Sequence, residues 1–596
     1  MCGIVGYAGY QQAYPILLDG LKRLEYRGYD SAGIAIVGSD LKVEKDKGYI
    51  AHLESITEPV PGSLGIGHTR WATHGPPSKE NAHPLLDCSG RIAVVHNGII
   101  ENHGELRDRL ESKGHTFRSE TDTETVVHLV ESYYEGDLER AIRAVLHDLR
   151  GSYAIAVVHA DEPDKVVAAR HESPLVVGLG TDENFLASDI PAILKHTNRV
   201  VAVMDGEVVI LMRNGVRITD FDGNPVTREA QRVTWTIEDA EKGGFEHFML
   251  KEIFETPKAI HDTLLGRVAE PRMDSFLRDG FSGIKLVACG TSYHAALIGK
   301  YVLEEIARIP TTAELASEYR YSKAPADRPL VILISQSGET ADTLGACREA
   351  NRRGCKTFAI VNVVGSTLAR EAQHTMYTRA GIEIGVAATK TFVAQIAGLY
   401  LLAVQIGLER GTLGVEEANR LKEDLRSLPR AVQAVLNAAP LIEALASKYA
   451  QARDVFFIGR HLGYPVAMEG ALKLKEISYV HAEAYAAGEL KHGPLALVGP
   501  ETPVIAIATR DHTYEKIMSN IREVTARGAR VVAIGTVGDK DLAKIVDDVV
   551  YVPEVRALFA PIPVSVVLQL FAYHVARLRG CSIDKPRNLA KSVTVE

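Results

Sequence analysis

The sequence is poor in cysteine, tryptophan and clustered positive charge. Its 596 residues include six cysteines and two tryptophans, and the formal net charge is −9. No two cysteines form a Cys-x-x-Cys pair, so we expect neither a metal centre nor a redox pair. Because no basic cluster is present, we expect no binding to nucleic acid or to an anionic membrane surface. So few cysteines, without a secretion signal, favour the reducing cytoplasm.

Two long uncharged stretches, residues 391–408 and 557–576, approach membrane-spanning length. Both contain glutamine, and the second also contains Pro561, Pro563 and His574. Neither stretch is flanked by a positive cluster of the kind that orients membrane helices. We therefore expect buried core or interface helices and no membrane span.

The chain changes character along its length. The first 220 or so residues alternate short apolar strands with a few helices, which favours an α+β domain. Within them, TDTETVVHLVESYYE (residues 121–135) predicts a capped helix. From about Gly280 onward, regular βα alternation predicts a doubly wound parallel sheet. A second copy of that pattern follows, with Gly459 in the place of Gly290, which indicates a domain-scale duplication.

Cys2 follows the initiator methionine. Removal of Met1 leaves Cys2 with a free α-amine beside its own thiol, and an amine with a pKa of about 7.7–8.0 can serve as the general base. A cysteine at position 2 is common by chance, so the argument needs further motifs. Four segments supply them: LEYRGYDSAG (24–33), HTRWATHG (68–75), HNGIIEN (96–102) and SETDTE (119–124).

Together these segments resemble the class II glutamine amidotransferase domain, which has an N-terminal-nucleophile (αββα) fold. The resemblance implies that Cys2 attacks the carboxamide carbon of glutamine. It also implies that the side-chain amide of Asn97 and the backbone N–H of Gly98 form the oxyanion hole. The products are glutamate and ammonia.

The same resemblance assigns the rest of the glutamine site. Arg70 matches the residue that binds the substrate α-carboxylate, a task suited to its planar fork of donors. Asp122 matches the partner of the α-ammonium group. Thr73 and His74 lie in the loop that closes over glutamine. Trp71 matches a gate on the path along which ammonia travels, although a tryptophan of the core or of a lid explains the residue equally well.

SQSGET, residues 335–340, stands where a strand ends and a helix begins. The hydroxyls of Ser335, Ser337 and Thr340, with exposed helix N–H groups, form a cradle for a phosphate. Serine-rich turns also cap helices routinely, so the motif alone decides little. ACGTSY, residues 288–293, ends the preceding strand, and both turns should meet at the carboxyl edge of the sheet, where such sheets bind ligands.

The double α/β pattern and these turns resemble the sugar isomerase (SIS) domain. The resemblance implies that Gln336 and Ser292 contact the bound sugar phosphate. An isolated serine turn would carry no such implication.

The segment 469–496 of the second copy resembles the glucosamine-6-phosphate synthase family, the isomerizing glutamine–fructose-6-phosphate aminotransferases. The resemblance implies that Glu476 moves a proton between C1 and C2 of the sugar and that Lys473 supports this step. His492 matches the ring-opening acid/base, which a neighbouring subunit contributes in the family. Lys591, in the C-terminal tail, matches the lysine that forms a Schiff base with the keto sugar. One departure is Ala388, where the family pattern has serine.

The resemblance covers the whole chain. It implies conversion of fructose 6-phosphate and glutamine to glucosamine 6-phosphate and glutamate, the first step of hexosamine and UDP-N-acetylglucosamine synthesis, with ammonia channelled from Cys2 to the sugar site. It implies no metal or organic cofactor, and at least a homodimer. The expected domains are a glutaminase domain (2–236), a linker (237–247), a first SIS domain (248–430) and a second SIS domain with a catalytic tail (431–596).

Two alternatives remain open at this point. Another class II amidotransferase would share the N-terminal motifs, but the sequence shows neither a diphosphate-binding acidic motif nor an SGGxDS-like ATP loop. A non-catalytic SIS sensor of sugar phosphates would have no need for Cys2, Glu476 and Lys591 together.

Overall fold

A computed structural model describes residues 2–71, 74–233, 242–265, 267, 275–277, 281–323 and 328–594. The chain divides into two compact units. The first unit comprises Met1–Ala240 together with the C-terminal segment Ala590–Glu596, and the second comprises Glu241–Leu589. The four-part division given above stays a prediction at the level of its boundaries.

The first unit is built mainly from antiparallel strands with five helices among its described residues. The strands are β1 Gly3–Ala8, β2 Ser31–Val37, β3 Leu41–Lys47, β4 Leu64–Arg70, β5 Leu85–Leu86, β6 Ile92–Ile100, β7 Gly151–His159, β8 Lys165–His171, β9 Val176–Leu179, β10 Asn184–Ala187, β11 Arg199–Ala202, β12 Glu207–Met212, β13 Gly215–Asp220 and β14 Gln231–Arg232. The helices are α1 Ala13–Leu24, α2 Ile50–Ile56, α3 His103–Ser112, α4 Thr123–Tyr133 and α5 Leu138–Asp148.

Two sheets face each other in this unit. In the described residues their orders are β14-β11-β9-β10-β1-β4-β2-β3 and β13-β12-β8-β7-β6-β5. Side chains alternate between the two faces of each strand. On β1, Ile4 faces the core between the sheets, whereas Val5 lies against Gly20 of α1. On β6, Val95 shares that core, whereas Val94 packs among α3, α4 and α5. The layers are therefore helix, sheet, sheet, helix, which confirms the expected αββα class.

The second unit contains ten parallel strands and twelve α-helices among its described residues. In chain order its first half comprises α6 Phe248–Phe254, α7 Thr256–Leu264, β15 Ile284–Ala288, α8 Gly290–Val302, β16 Thr311–Leu315, α9 Ala316–Tyr319, β17 Leu330–Ser335, α10 Ala341–Arg352, β18 Lys356–Val361, α11 Thr367–Glu371, β19 His374–Tyr377 and α12 Lys390–Glu409. Its second half comprises α13 Val415–Asn437, α14 Ala439–Tyr449, β20 Asp454–Gly459, α15 Gly463–Ser478, β21 His481–Ala486, β22 Val504–Ala508, α16 Tyr514–Thr525, β23 Val531–Thr536, β24 Asp548–Val552 and α17 Pro561–Leu578.

The two halves repeat one topology. Their sheets run β16-β15-β17-β18-β19 and β21-β20-β22-β23-β24, and all strand pairs in both sheets are parallel. Each half therefore places its second strand at one edge, beside its first, and continues in chain order on the other side. This doubly wound order confirms the predicted duplication, and it places a ligand crevice at the carboxyl edge of the central strands.

Helix α12 contains the first uncharged stretch, and helix α17, together with the short helical turn Ala557–Phe559 before it, contains the second. By length and apolar composition alone, Lys390–Glu409 and Ala557–Leu578 could cross a membrane, yet 89% and 100% of their most apolar windows are buried inside the protein. Both helices contribute to the large core of the second unit. They are core helices, as their glutamines and prolines predict.

Candidate active sites

Cys2 is held at the start of the central strand of the first unit. Gly3 pairs with Thr69 of the antiparallel strand β4, so Cys2 lies at the end of that strand, near Arg70 and Trp71. The Trp71 N–H donates a hydrogen bond to Cys2 Sγ at 3.2 Å. Burial raises the pKa of the Cys2 thiol, and the Trp71 N–H and Arg70 offset only part of that rise. The thiol therefore needs a base before it can act as a nucleophile.

The side-chain amide of Asn97 is oriented by its neighbours. Its Nδ2 donates to the backbone oxygen of Cys2 at 3.1 Å. Its Oδ1 lies 3.1 Å from His68 Nε2, which is also 2.9 Å from the backbone oxygen of His96. Since both of these oxygens are acceptors, the proton of the imidazole is on Nε2. Burial lowers the pKa of His68 to about 3, so the ring is a neutral donor. The donor end of the amide therefore faces Cys2.

Gly98 occupies a position that other residues cannot. Its φ is +125°, and a Cβ placed there would lie 1.9 Å from the backbone oxygen of Ser152. Both observations require glycine. The steric requirement comes from the neighbouring strand β7, to which Ser152 belongs, and the role of the Gly98 N–H in the oxyanion hole stays a prediction.

Arg70 and Asp122 are both almost completely buried in this unit. Arg70 Nη2 donates to the backbone oxygens of His74 and, at 3.1 Å, of Gly75. Its Nη1 is buried and has no hydrogen-bond partner among the described residues. Burial lowers the pKa of Arg70, whereas nearby Cys2 and Asp122 act to raise it. A free buried guanidinium N–H beside a nucleophile suits an incoming carboxylate.

The sequence predicts a capped helix here, but Asp122 gives helix α4 no side-chain cap. It stands at the N-cap position, but its side chain makes no hydrogen bond to the helix. Its Oδ2 instead accepts the backbone N–H of Ile100 on β6 at 2.8 Å. The carboxylate is thus turned from its own helix toward the strand that carries Asn97 and Gly98.

The remaining predicted residues of the glutamine site are less constrained. His74 is half-buried, and its ring packs edge-on against His103 at 5.1 Å. Trp71 is also half-buried and meets the ring of Tyr29 edge-on at 5.7 Å. Thr73 lies outside the described residues.

In the second unit, the predicted phosphate turn follows strand β17. Ser335 Oγ accepts the backbone N–H of Gly338 at 3.0 Å and lies 3.1 Å from Thr340 Oγ1. Ser337 Oγ accepts the N–H of Glu339 at 3.1 Å. These bonds fix the turn, and they show that its hydroxyls already have local hydrogen-bond partners. The side chain of Gln336 is half-buried beside them.

Ser292 comes to the same edge of this sheet. It lies in the first turn of α8, directly after β15, and β15 pairs with β17 in parallel. Its Oγ accepts a hydrogen bond from Gln395 Nε2 at 3.0 Å. The sequence therefore placed Ser292 and the 335–340 turn correctly at one carboxyl edge.

Lys473 is the centre of a buried polar cluster. Its Nζ lies 2.6 Å from Glu476 Oε2 and 3.4 Å from Glu469 Oε1, and it donates to Thr291 Oγ1 at 3.1 Å. Thr291 Oγ1 in turn donates to Glu469 Oε1 at 3.2 Å. Glu469 Oε2 lies 2.8 Å from His294 Nδ1. Helices α8 and α15 thus share one network.

The charges in this cluster are strongly coupled. Burial acts to lower the pKa of Lys473, but the carboxylates of Glu469 and Glu476 raise it above its usual value. Lys473 therefore stays a cation and cannot act as a base. The side chains of Lys473 and Glu469 are 1% and 2% exposed, whereas that of Glu476 is 20% exposed. Glu476 is the carboxylate of the cluster that an incoming ligand can reach.

No role was predicted from the sequence for Thr291, His294 and Glu469 of this cluster, or for His68 of the first unit. A signal existed for one of them, because Glu469, Lys473 and Glu476 fall on one face of a helix at i, i+4 and i+7. Thr291 was within a quoted motif, but only the packing of α8 against α15 gives it a partner.

The last two predicted residues are His492 and Lys591. His492 ends the short helical turn Ala487–His492 and is exposed. Lys591 is half-buried, in the C-terminal segment that groups with the first unit. The roles of both stay predictions.

Family comparisons cover both units. The SIS domain family matches residues 282–405 and 448–579. The glutamine amidotransferase domain family matches residues 68–195. The first match corresponds to the two parallel sheets, and the second lies within the αββα layers.

Comparisons with individual proteins extend over the full length. The chain is 55% identical over 605 residues to the glutamine–fructose-6-phosphate aminotransferase (isomerizing) of Thermus thermophilus, and 50% identical over 608 residues to that of Clostridium tetani. Each alignment covers 100% of both chains. A solved structure, the C-terminal domain of glucosamine-fructose-6-phosphate aminotransferase from Francisella tularensis, is 39% identical with a TM-score of 0.56, covering 58% of this chain and 100% of that one.

Proposed function

Since the chain belongs to the family of isomerizing glutamine–fructose-6-phosphate aminotransferases, we propose that it converts fructose 6-phosphate and glutamine to glucosamine 6-phosphate and glutamate. The observation that carries the proposal is the alignment of its relatives across both units, at 100% coverage in each direction. The division into three domains and a linker, a cytoplasmic location and a homodimer belong to the same proposal.

Glutamine hydrolysis would begin at Cys2 after removal of Met1. The α-amine takes the thiol proton, which burial otherwise retains on sulfur. The thiolate attacks the carboxamide carbon, and the oxyanion forms beside the donors of Asn97 and Gly98. Loss of one such donor costs about 2.7–4 kcal/mol of transition-state stabilisation. Ammonia leaves, and water hydrolyses the thioester to glutamate.

The rest of the glutamine site binds the amino-acid end of the substrate. The buried Nη1 of Arg70 is available to the α-carboxylate. Asp122 offers a carboxylate to the α-ammonium group. Thr73 and His74 belong to the loop that would close over the substrate, and Arg70 already holds that loop through the backbone oxygen of His74.

The sugar phosphate would bind at the carboxyl edge of the first parallel sheet. The hydroxyls of Ser335, Ser337 and Thr340 and the N-terminus of α10 face a phosphate there. Gln336 and Ser292 contact the sugar. No lysine or arginine is needed in this turn, because helix N–H groups carry the positive end of the helix dipole.

Amination and isomerisation would then follow. The amine of Lys591 condenses with the C2 carbonyl and releases water, and ammonia displaces the lysine to leave a C2 imine. Glu476 removes a proton from C1 and returns it to C2, which forms the aldose. Lys473 positions that carboxylate through an ion pair, with its Nζ 2.6 Å from Oε2. His492 of a neighbouring subunit opens the sugar ring.

Ammonia would pass inside the protein, because release to water loses it to dilution and protonation. Trp71 is the proposed gate. Trp71→Ala should keep glutaminase activity but lower the yield of glucosamine 6-phosphate per glutamate. A retained one-to-one ratio would contradict gating.

The proposed function is tested by measuring glucosamine 6-phosphate from fructose 6-phosphate, with glutamine or an ammonium salt as donor. Wild type, with Met1 confirmed absent, should use glutamine. Cys2→Ala should make no amino sugar from glutamine yet keep its sugar-phosphate isomerase activity. If wild type makes no amino sugar from either donor, the SIS half acts on another substrate or only senses one, and the proposal is wrong.

A further inference from the structure

Four side chains with metal-binding atoms converge in the first unit, apart from the residues assigned to glutamine. Cys88 lies just after β5, His115 lies between α3 and α4, and His128 and Glu131 lie on α4. One ligand atom from each residue lies within 4.8 Å of the other three. Three separate segments of the chain therefore meet at one point.

The two sulfur–nitrogen separations match the edges of a tetrahedral zinc site. Cys88 Sγ lies 3.8 Å from His115 Nδ1 and 3.7 Å from His128 Nδ1. Bond lengths of about 2.3 Å to sulfur and 2.0–2.1 Å to nitrogen give a tetrahedral edge of about 3.6 Å. Glu131 Oε2 lies 2.8 Å and 3.0 Å from the same two nitrogens. The corresponding edge with a bound ion is about 3.3 Å, so this carboxylate would move by a few tenths of an ångström.

The surrounding groups are those that support a metal site. The buried Glu124 places Oε1 3.7 Å from the other ring nitrogen of His128. The backbone N–H of Thr116 donates to Cys88 Sγ at 3.5 Å. A carboxylate behind a ligating histidine and an N–H aimed at a ligating sulfur both orient the ligands and favour their metal-bound forms.

Hydrogen bonds already connect these groups, since Glu131 Oε2 can accept from both imidazoles and Cys88 Sγ accepts the Thr116 N–H. The sulfur nevertheless lies within 3.8 Å of both Nδ1 atoms. A divalent cation uses all four atoms at once. Cysteine, imidazole and carboxylate together suit Zn²⁺, which is commonly tetrahedral with such ligands.

We propose that Cys88, His115, His128 and Glu131 bind one Zn²⁺ ion in a structural site. Four protein ligands leave no open position for a substrate, which separates this site from catalytic zinc. The two imidazoles are withdrawn from solvent, since the His128 and His115 side chains are 1% and 13% exposed, whereas Cys88 is exposed at the edge of the site. Binding releases the thiol proton of Cys88 to solvent.

The site would hold the segment that leads to Asp122. His115 anchors the start of this segment, and Glu124 accepts the N–H groups of Arg118 and Ser119, each at 2.6 Å. The ion therefore ties the turn after β5 and the segment before α4 to that helix. Because the metal binds the folded arrangement, zinc should raise the stability of the first unit.

The test uses the full-length chain with any affinity tag removed, in a Cys2→Ala background that eliminates a competing N-terminal thiol. The protein is stripped with a chelator, reloaded with Zn²⁺ or Co²⁺, and freed of excess metal by gel filtration. Bound zinc is measured by mass spectrometry, and Co²⁺ reports ligand type through its absorption spectrum. The ligand variants are Cys88→Ser and His115→Ala, and the matched controls are Cys581→Ser and the exposed His147→Ala.

We expect one zinc per chain in the background protein and both controls, and its loss in both ligand variants. The Co²⁺ form should show tetrahedral bands and a sulfur-to-cobalt charge-transfer band that Cys88→Ser removes. Glu124→Gln, which keeps all four ligands, should weaken binding about 10–100-fold. Failure to take up one equivalent of zinc, equal uptake by the ligand variants, or a cobalt spectrum without the sulfur band would each overturn the proposal. The cobalt spectrum of the background protein tests the proposal even if the variants misfold.

Discussion

His68 should affect glutamine hydrolysis without touching the substrate. Its Nε2–H is shared between the backbone oxygen of His96 and Oδ1 of Asn97, at 2.9 Å and 3.1 Å. This contact decides which end of the Asn97 amide faces Cys2. His68→Ala removes the contact and leaves Oδ1 of the amide without its donor, so the amide is free to turn its oxygen toward the reacting carbonyl.

The magnitude is bounded by the role proposed for Asn97. Complete loss of one oxyanion donor lowers kcat about 100- to 1,000-fold. Loss of orientation alone should lower kcat less, because the donor end of the amide still faces Cys2 part of the time. We expect a decrease of about 10- to 100-fold in kcat, because the hydrogen bond that holds the amide oxygen is lost. KM should change little, since the contacts proposed for the amino-acid end of glutamine, Arg70 and Asp122, remain.

The assay measures kcat and KM for glutamate release by His68→Ala, Asn97→Ala and the double variant. If His68 acts through Asn97, the double variant should be no slower than Asn97→Ala alone. His68→Gln, which can present an N–H near the position of Nε2, should recover much of the activity. Multiplicative losses in the double variant, with no rescue by glutamine, would refute the reasoning.

Three further predictions concern glutamine hydrolysis and folding stability. Gly98→Ala should abolish glutamine hydrolysis and cost at least about 1–3 kcal/mol of unfolding free energy, because the new Cβ meets the backbone of Ser152 and φ is positive; activity and stability equal to wild type would contradict this. Lys473→Met should cost about 3–5 kcal/mol in urea denaturation, because it removes the lysine cation that lies between the carboxylates of buried Glu469 and Glu476, whereas exposed Lys475→Met should cost little. Burial lowers the pKa of His68 to about 3, so its neutral ring contributes fully to the stability of the first unit above pH 6.5. Below that pH the unfolded state binds the proton more readily, and stability should fall as the pH drops toward 3, by at most about 1.4 kcal/mol per pH unit from this group. The fall should be smaller in His68→Gln.

The repeated α/β architecture could be predicted because its signals are local. Buried parallel strands are short continuous apolar runs, and each is followed by a helix that begins at a turn with glycine or serine. The runs before Gly290 and Gly459 carry this pattern, and they form β15 and β20. The edge strands Thr311–Leu315 and His481–Ala486 escaped prediction, because edge strands are only partly buried and their polar residues break the apolar run.

The side-chain networks could be predicted only in part. Asp122 has the sequence context of a helix cap, yet its carboxylate accepts a hydrogen bond from the backbone N–H of Ile100 on strand β6. That N–H comes from a residue more than twenty positions earlier, so no local pattern contains it. The cation Lys473 was expected to support proton transfer, but its partners Thr291 and His294 depend on how α8 packs against α15. Local sequence determines which groups are available, and tertiary packing determines which of them meet.

The expectation of no metal centre was also based on local sequence patterns, which do not contain tertiary contacts. It rested on the absence of closely spaced cysteines, a test that detects ligands supplied by one turn of chain. Here only His128 and Glu131 are close in sequence, at i and i+3 on one helix face, whereas Cys88 and His115 arrive from other segments. A cysteine and three ordinary helix or loop residues carry no spacing signal until β5, α3 and α4 are assembled. The same assembly that turns Asp122 toward β6 therefore creates the proposed zinc site, and zinc uptake that requires Cys88 would link the two features through one segment of chain.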